Sequence, residues 1–278
     1  MSLALRQIRG VIRLELKKTF FARRGWWVYL LALAPIALTL FHSLVAARFQ
    51  GYGRRGHAIS GDTLLFAVLF QTYFLHLGIY FGCAGLFSNL FRTEMLEKTL
   101  HYYFLSPIRR EWLVIGKYVS GLLVAGTLFA GSVSLSMYFV GRHQGAAWSA
   151  FLLDGPGLVQ LAKYVMIALL AAIGYGAIFL IAGLYTRNPM IPAAAVWVWE
   201  NLNPFLPSFL KKLSIIFYIK GLCPVSLPAS APTPISLLVV ETDPISGHYA
   251  VPGLLLVGAA ILVYGAYSAR QAEISYGE

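Results

Sequence analysis

Five stretches of about 20 residues contain almost no charged side chain. An α-helix rises 1.5 Å per residue, so each stretch is long enough to cross a hydrocarbon core about 30 Å thick. Only 12% of the 278 residues are charged and 58% are hydrophobic, which excludes an ordinary soluble domain. The five stretches are residues 26–47, 63–90, 118–140, 161–184 and 251–269. We predict an all-α polytopic membrane protein that forms a single transmembrane domain over residues 1–278.

The distribution of basic residues predicts the orientation of the chain in the membrane. The net charge is +11, but the basic residues lie at the ends of apolar stretches and not on one continuous surface, so nucleic acid is not an expected partner. With the N-terminus in the cytoplasm, 14 of the 22 Lys and Arg residues fall inside. An even number of spans returns Arg270 to the cytoplasm. We therefore predict six spans with both termini cytoplasmic, and no cleaved leader.

The predicted sixth span covers residues 190–210 and is unusual. It contains Pro192, Pro204, Pro207 and Glu200, which remove backbone hydrogen bonds and bury a carboxylate, so we expect a broken or short helix. Eight of the 13 prolines lie between Pro204 and Pro252. Residues 204–249 are predicted to form outer re-entrant or interfacial helices, and a simple exposed loop is the alternative.

The N-terminal residues 1–24 have the pattern of an amphipathic helix lying in the membrane interface. Apolar side chains recur at three- and four-residue spacing, and basic side chains occupy the opposite face. The apolar set is Leu5, Ile8, Val11, Ile12, Leu16 and Phe20, and the basic set is Arg6, Arg9, Arg13 and Lys17. The basic face is expected to meet anionic lipid headgroups.

Motifs for catalysis or nucleotide binding are missing from the sequence. The only approach to a P-loop, around Gly116 and Lys117, lacks the first glycine and the hydroxyl residue. The six histidines are scattered and the cysteines, Cys83 and Cys223, form no ligand set, so no metal site and no cofactor are predicted in this chain. An enzyme is not supported.

The segment 91–113 between the second and third spans is predicted to be cytoplasmic. Its first part has a helical apolar face, and Glu94 can pair with Lys98 one turn later. Ser106 and Pro107 then end that helix and begin the next, because proline disfavours a helical residue before it and fits a first helical turn. Such a segment is either a lever for a soluble partner or a surface loop on lipid.

This segment resembles the signature of the permease subunits of bacterial type 2 ABC transporters. In that signature a glutamate-bearing stretch leads to Gly-Thr-Leu, then to Ser-Pro, a basic residue and a closing Gly-Lys. The matching residues are Glu94, Thr99, Leu100, Ser106, Pro107, Arg110, Gly116 and Lys117, and Lys98 replaces the glycine. The match covers roughly 25 residues, and the interfacial helix, six spans and outer re-entrant region agree with the family.

The resemblance implies a transport subunit in the bacterial inner membrane that pairs with a second permease chain and with two copies of a separate ABC ATPase. The ATPase would bind ATP and Mg²⁺, and membrane lipid would surround the permease. The cytoplasmic segment would seat on the ATPase. The implied contact residues are Glu94, Glu97, Tyr103, Phe104, Ser106, Pro107, Arg109 and Arg110.

The expected substrate is amphipathic or lipid-like, because aromatic and a few charged residues follow residue 197 without a fixed set of polar groups for a small solute. The resemblance to the family implies that the substrate is exported. The candidate path residues are Trp197, Glu200, Phe205 and Phe209. An aromatic belt at the outer interface would also explain the tryptophans. The alternative functions are a proton-coupled secondary transporter using Glu200 and His76, and, third, a lipid-modifying enzyme.

Overall fold

Helices form every regular element in the part of the chain that the computed structural model describes, which is residues 3–20, 25–49, 59–96, 109–186, 188–225, 227 and 246–271. The helices are α1 (Leu3–Phe20), α2 (Trp26–Phe49), α3 (Ile59–Leu69), α4 (Ile79–Leu96), α5 (Arg110–Val140), α6 (Ala146–Leu153), α7 (Gly157–Tyr185), α8 (Met190–Leu202), α9 (Ser208–Lys211), α10 (Ile215–Lys220) and α11 (Gly247–Gln271). A π-helical segment, Phe70–Gly78, joins α3 to α4.

Five of these helical stretches are long and apolar enough to cross a membrane: Trp26–Arg48, Ile59–Met95, Arg110–Gln144, Gly157–Tyr185 and Gly247–Ala269. They contain the five stretches of the sequence that have almost no charged side chain. The outermost helices expose large apolar side chains, among them Phe41 on α2 and Leu256 on α11, at 68% and 71%. Exposed apolar surface of this extent suits contact with lipid. The chain is an all-helical, multi-pass membrane protein.

Small residues let the central helices approach closely. Phe87 of α4 fills the space beside Gly121 of α5 and Gly176 of α7, where an added Cβ would lie 2.6 Å from its ring in both cases. On the next turns, a Cβ at Gly183 would lie 2.6 Å from the carbonyl oxygen of Ser88. Close approach of this kind drives helix association where no hydrophobic effect operates between helices. The helices α4, α5 and α7 therefore form the core.

The π-helical segment is a local irregularity that the sequence does not predict. Its residues Phe70 and Phe74 are fully buried, and each lies beside the next in a run of tilted aromatic rings that includes Tyr164. The opposite side carries Tyr73 and Leu77, which line the large cleft described below. Short π segments inside α-helices are often found at functional sites.

The region of the predicted sixth span confirms the expected broken helix. The helix α8 has only 13 residues, about 20 Å, and is followed by a 3₁₀ turn at Asn203–Phe205 and the short helices α9 and α10. Ile215 of α10 packs on Gly174, in the middle part of α7. The number of six spans stays a prediction. In the predicted re-entrant region 204–249, residues 226 and 228–245 lie outside the described residues.

The predicted amphipathic helix is present as α1, although residues 1–2 and 21–24 of the range 1–24 are outside the described residues. The four basic residues Arg6, Arg9, Arg13 and Lys17 are exposed. The opposite face packs on the start of α5, with Val11 buried at its centre. Contact of α1 with lipid headgroups stays a prediction.

Candidate functional site

Lys117 of α5 lies at the centre of a buried cluster of charged residues. Its side chain is fully buried, and its Nζ atom lies 2.7 Å from Oε1 of Glu15 and 2.8 Å from Oε1 of Glu94. The same ammonium donates to the backbone carbonyl of Leu90 at 2.7 Å and lies 5.2 Å from the centre of the Phe91 ring. One cation thus joins three helices: α1 through Glu15, α4 through Glu94 and α5 through its own backbone.

A second cation completes the charge of this cluster. Nζ of Lys18 lies 3.7 Å from Oε1 of Glu94. The Lys18 side chain is 53% exposed, so it lies between the buried charges and the protein surface. Two carboxylates then face two ammonium groups and their formal charges cancel. Buried ion pairs survive only when charges are compensated and further hydrogen bonds are made. Here the charges are compensated, and Lys117 makes a further hydrogen bond to the Leu90 carbonyl. We call Glu15, Lys18, Glu94 and Lys117 the ion cluster.

The glycine beside Lys117 is required by the same contact. A Cβ at Gly116 would lie 2.8 Å from Cγ1 of Val11, so only glycine allows α1 to lie this close to α5. Both residues of the pair Gly116-Lys117 therefore contribute to the packing of α1 on α5. The glycine admits α1, and the lysine binds its carboxylate Glu15.

The predicted ATPase-contact residues are placed unevenly. Glu97, Tyr103, Phe104, Ser106 and Pro107 lie outside the described residues.

Of the other three, Arg109 is exposed just before α5, and Arg110 is half-buried, with Nη1 3.5 Å from the carbonyl oxygen of Ala269. Glu94 was expected to offer a polar contact to the ATPase. The structure turns it inward instead, where it is 3% exposed and bound to Lys117, because a lone buried ammonium would be far more costly. Contact of these residues with an ATPase stays a prediction.

A large apolar cleft of about 1190 Å³ lies between α2, the π-helical segment with α4, and α8. Its lining residues are Trp27, Leu31, Tyr73, Leu77, Phe81, Ala84, Gly85, Asn89, Arg92, Thr93, Pro189, Met190, Ala193, Ala194 and Trp197. Two hydrogen bonds hold its walls. The Tyr73 hydroxyl donates to the Leu31 carbonyl at 3.0 Å, and the Tyr80 hydroxyl donates to the Ala193 carbonyl at 2.6 Å.

The polar lining residues of the cleft are gathered at one end. Asn89, Arg92 and Thr93 lie within five consecutive positions near the end of α4. Arg92 is half-buried, and its Nε atom has no hydrogen-bond partner among the described residues. Asn89 and Thr93 also line a smaller cavity of about 260 Å³ that reaches Glu15 and Glu94. The cleft thus combines apolar walls with a cationic end next to the ion cluster.

No protein-family model and no curated protein matches the chain. Membership of the type 2 ABC family therefore stays a prediction from the signature residues.

Among the predicted substrate-path residues, only Trp197 lines the cleft; Phe205 and Phe209 lie outside its lining and are exposed at 40% and 69%. Glu200 is buried and acts as a helix cap. Its carboxylate accepts hydrogen bonds from the Ser214 hydroxyl at 2.5 Å and from the backbone N–H groups of Ile215 and Ile216 at 3.0 Å each. These groups begin α10, whose first N–H groups have no partner within the helix.

The proton-relay alternative requires Glu200 and His76 to work together. The Nδ1 atom of His76 lies 2.6 Å from the carbonyl oxygen of Gln71, inside its own π-helical segment. No hydrogen bond or ion pair joins His76 to Glu200, and both residues are described. This geometry favours a structural role for Glu200.

Two important residues were missed by the sequence analysis. Glu15 is the one acidic residue among the first 24 and stands four positions after Val11, on the face of α1 that packs inward. Arg92 belongs to the segment 91–113, and the structure places it at the end of a span, where it lines the cleft. The signals were an acid on an apolar face and a charge at a span end.

Proposed function

We propose that this chain is the membrane-spanning permease subunit of an ATP-driven transporter of the type 2 ABC class. It would work with a second permease chain and two ATPase subunits, with six spans and both termini in the cytoplasm. One observation carries the proposal: Glu94 and Lys117, which begin and close the signature, are 23 positions apart and form a direct ion pair at 2.8 Å.

The ion cluster explains why such a signature would be needed for coupling. It fastens the end of α4 to the start of α5 and both of them to α1, so the residues between, 97–108, begin and end on a fixed base. An ATPase subunit that pushes on this segment would move α4 and α5 together and would not merely bend a loop. Arg109, exposed at the edge of this base, would contact the ATPase.

The cleft supports an amphipathic or lipid-like substrate. Its apolar walls suit acyl or other hydrophobic groups, and Arg92 would contact a negatively charged or polar headgroup at the end near the ion cluster. Trp197 lies on the α8 wall, so it would contact the substrate directly. In this proposal the substrate leaves towards the outer side along α8, and the short helices α9 and α10 that follow would belong to the outer re-entrant region.

The test compares two exposed arginines at opposite ends of α5, Arg109→Glu and Arg142→Glu. The tagged chain is purified in mild detergent from its native host, and the co-purified ATPase and its ATP hydrolysis are measured. Charge reversal at a contact commonly costs more than 1.4 kcal/mol, a factor of ten in affinity, so Arg109→Glu should reduce the co-purified ATPase about tenfold. Arg142→Glu should leave it unchanged. Equal ATPase recovery with both variants would contradict the proposed coupling surface.

A further inference from the structure

Three side chains that are distant in the sequence meet at the end of α5 opposite to the ion cluster. His42 lies near the end of α2, Asp62 in the first turn of α3, and His143 in the 3₁₀ turn Arg142–Gln144. One ligand atom from each, two imidazole nitrogens and a carboxylate oxygen, lies within 4.8 Å of the others. Because α5 has 31 residues, about 46 Å of helix separates this group from the start of α5.

Two distances in this group are close to those between ligands of a common ion. Nε2 of His42 lies 3.6 Å from Oδ1 of Asp62, and Nε2 of His143 lies 3.5 Å from Oδ2. Both distances are too long for hydrogen bonds. Atoms that share a tetrahedral Zn²⁺ at 2.0–2.1 Å are about 3.4 Å apart, so each histidine is already at a suitable distance from Asp62. The three ligand atoms, which lie within 4.8 Å of one another, would draw together around a bound ion.

Burial makes these three side chains unfavourable in free energy when no cation is bound between them. The side chains of Asp62 and His143 are each 1% exposed, and Oδ1 of Asp62 and Nε2 of His42 have no hydrogen-bond partner among the described residues. A buried carboxylate oxygen without a donor costs free energy, and a bound cation removes that cost. His42 is 23% exposed, which gives an ion a route from solvent.

The turn that supplies His143 is held in place. Trp148 packs on Gly141, where an added Cβ would lie 2.2 Å from the indole, and Gly145 ends the turn with a φ of 60°. Gln144, in the same turn, donates a hydrogen bond from Nε2 to Oδ2 of Asp62. An outer hydrogen bond of this kind orients a ligating carboxylate.

We propose that His42, Asp62 and His143 form a binding site for one divalent transition-metal ion, with Zn²⁺ as the best fit. Two imidazoles and one carboxylate suit zinc and its neighbours, whereas Mg²⁺ and Ca²⁺ prefer oxygen ligands alone. Three protein ligands leave a fourth position for water or an exogenous ligand. The bound ion would fasten the end of α2 to the start of α3 and to the turn after α5.

The test is zinc binding by the full chain, purified in detergent through a tag without histidine. Equilibrium dialysis with elemental analysis should give one Zn²⁺ per chain at micromolar free zinc, unaffected by excess Mg²⁺. Asp62→Asn and His143→Ala should each weaken binding at least tenfold. His248→Ala, which removes an exposed histidine at the start of α11, should bind as the wild type does. Zinc should also raise the melting temperature of the wild type and of His248→Ala, but not of Asp62→Asn.

Two results would overturn the site: a wild type that retains no more zinc than Asp62→Asn does, or zinc binding that His248→Ala weakens as much as His143→Ala. If Asp62→Asn and His143→Ala aggregate, Co²⁺ added to the wild type decides whether the metal site exists. Four-coordinate Co²⁺ with nitrogen and oxygen ligands absorbs strongly in the visible range, and Zn²⁺ should abolish the absorption in a one-to-one titration. A cobalt spectrum that stays that of the free aqueous ion contradicts the proposal.

Discussion

Replacing Lys117 by methionine removes the only fully buried cation of the ion cluster and keeps most of its volume. Glu15 and Glu94 are each 3% exposed, so the substitution leaves two buried carboxylates without the buried ammonium that joins them. Lys18 cannot replace the lost charge, because it is 53% exposed and 3.7 Å from Glu94.

The loss of folding stability in Lys117→Met depends on the charges that stay buried after the substitution. Breaking a buried ion pair by removing one partner costs about 3–5 kcal/mol, because the other partner stays buried without compensation. Replacing all the charged partners by neutral groups of similar size is often nearly neutral. The triple variant Glu15→Gln, Glu94→Gln, Lys117→Met should therefore recover most of the stability that Lys117→Met loses. Lys17→Met, on the exposed side of α1, should change stability by less than about 0.5 kcal/mol.

Thermal unfolding of the purified chain in detergent measures these differences. A domain of this size loses about 2–4 °C of melting temperature per kcal/mol, so Lys117→Met should melt roughly 6–20 °C below the wild type. The triple variant should lie well above the single variant. If Lys117→Met melts with the wild type, or if the triple variant is as unstable as the single one, the ion cluster does not clamp α1, α4 and α5.

Two further stability measurements test other parts of the fold. Glu200→Ala removes the three hydrogen bonds at the start of α10 and should lower the free energy of unfolding by about 2 kcal/mol. Asn201→Ala, at the exposed neighbouring residue, should lower it by less than about 0.5 kcal/mol. Equal melting temperatures for the two variants would refute the role of Glu200 as a helix cap. Gly183→Ala places a Cβ 2.6 Å from the Ser88 carbonyl oxygen and should cost about 1–3 kcal/mol, while Gly131→Ala, which meets nothing within 4 Å, should be neutral or stabilising by up to about 1 kcal/mol. A smaller loss at Gly183 than at Gly131 would mean that α4 and α7 do not pack as described.

The long helices could be predicted because their signal is local. Hydropathy over 20 residues identifies a span, three- and four-residue spacing identifies α1, and Pro204 and Pro207 stand where the helix after Met190 breaks. Each of these properties belongs to one short piece of chain and survives whatever that piece packs against.

The sites could not be predicted in the same way. Glu15 and Lys117 are 102 positions apart, and His42 and His143 are 101 apart, so their contacts exist only after the helices have packed. Which side chains meet depends on where each helix begins and ends, and hydropathy does not predict these positions accurately. The π-helical segment Phe70–Gly78 shows the same limit, because its residues read as an ordinary apolar helix.

The proposed function requires that a separate ATPase drives this chain. The most direct measurement is to purify the tagged chain from native membranes at its natural expression level, identify its partners by mass spectrometry and measure ATP hydrolysis. We predict a soluble subunit with a P-loop in stoichiometric amount, with hydrolysis that depends on Mg²⁺. A folded, monodisperse chain that is recovered without any nucleotide-binding subunit, with and without chemical cross-linking in the membrane, would contradict the proposed function.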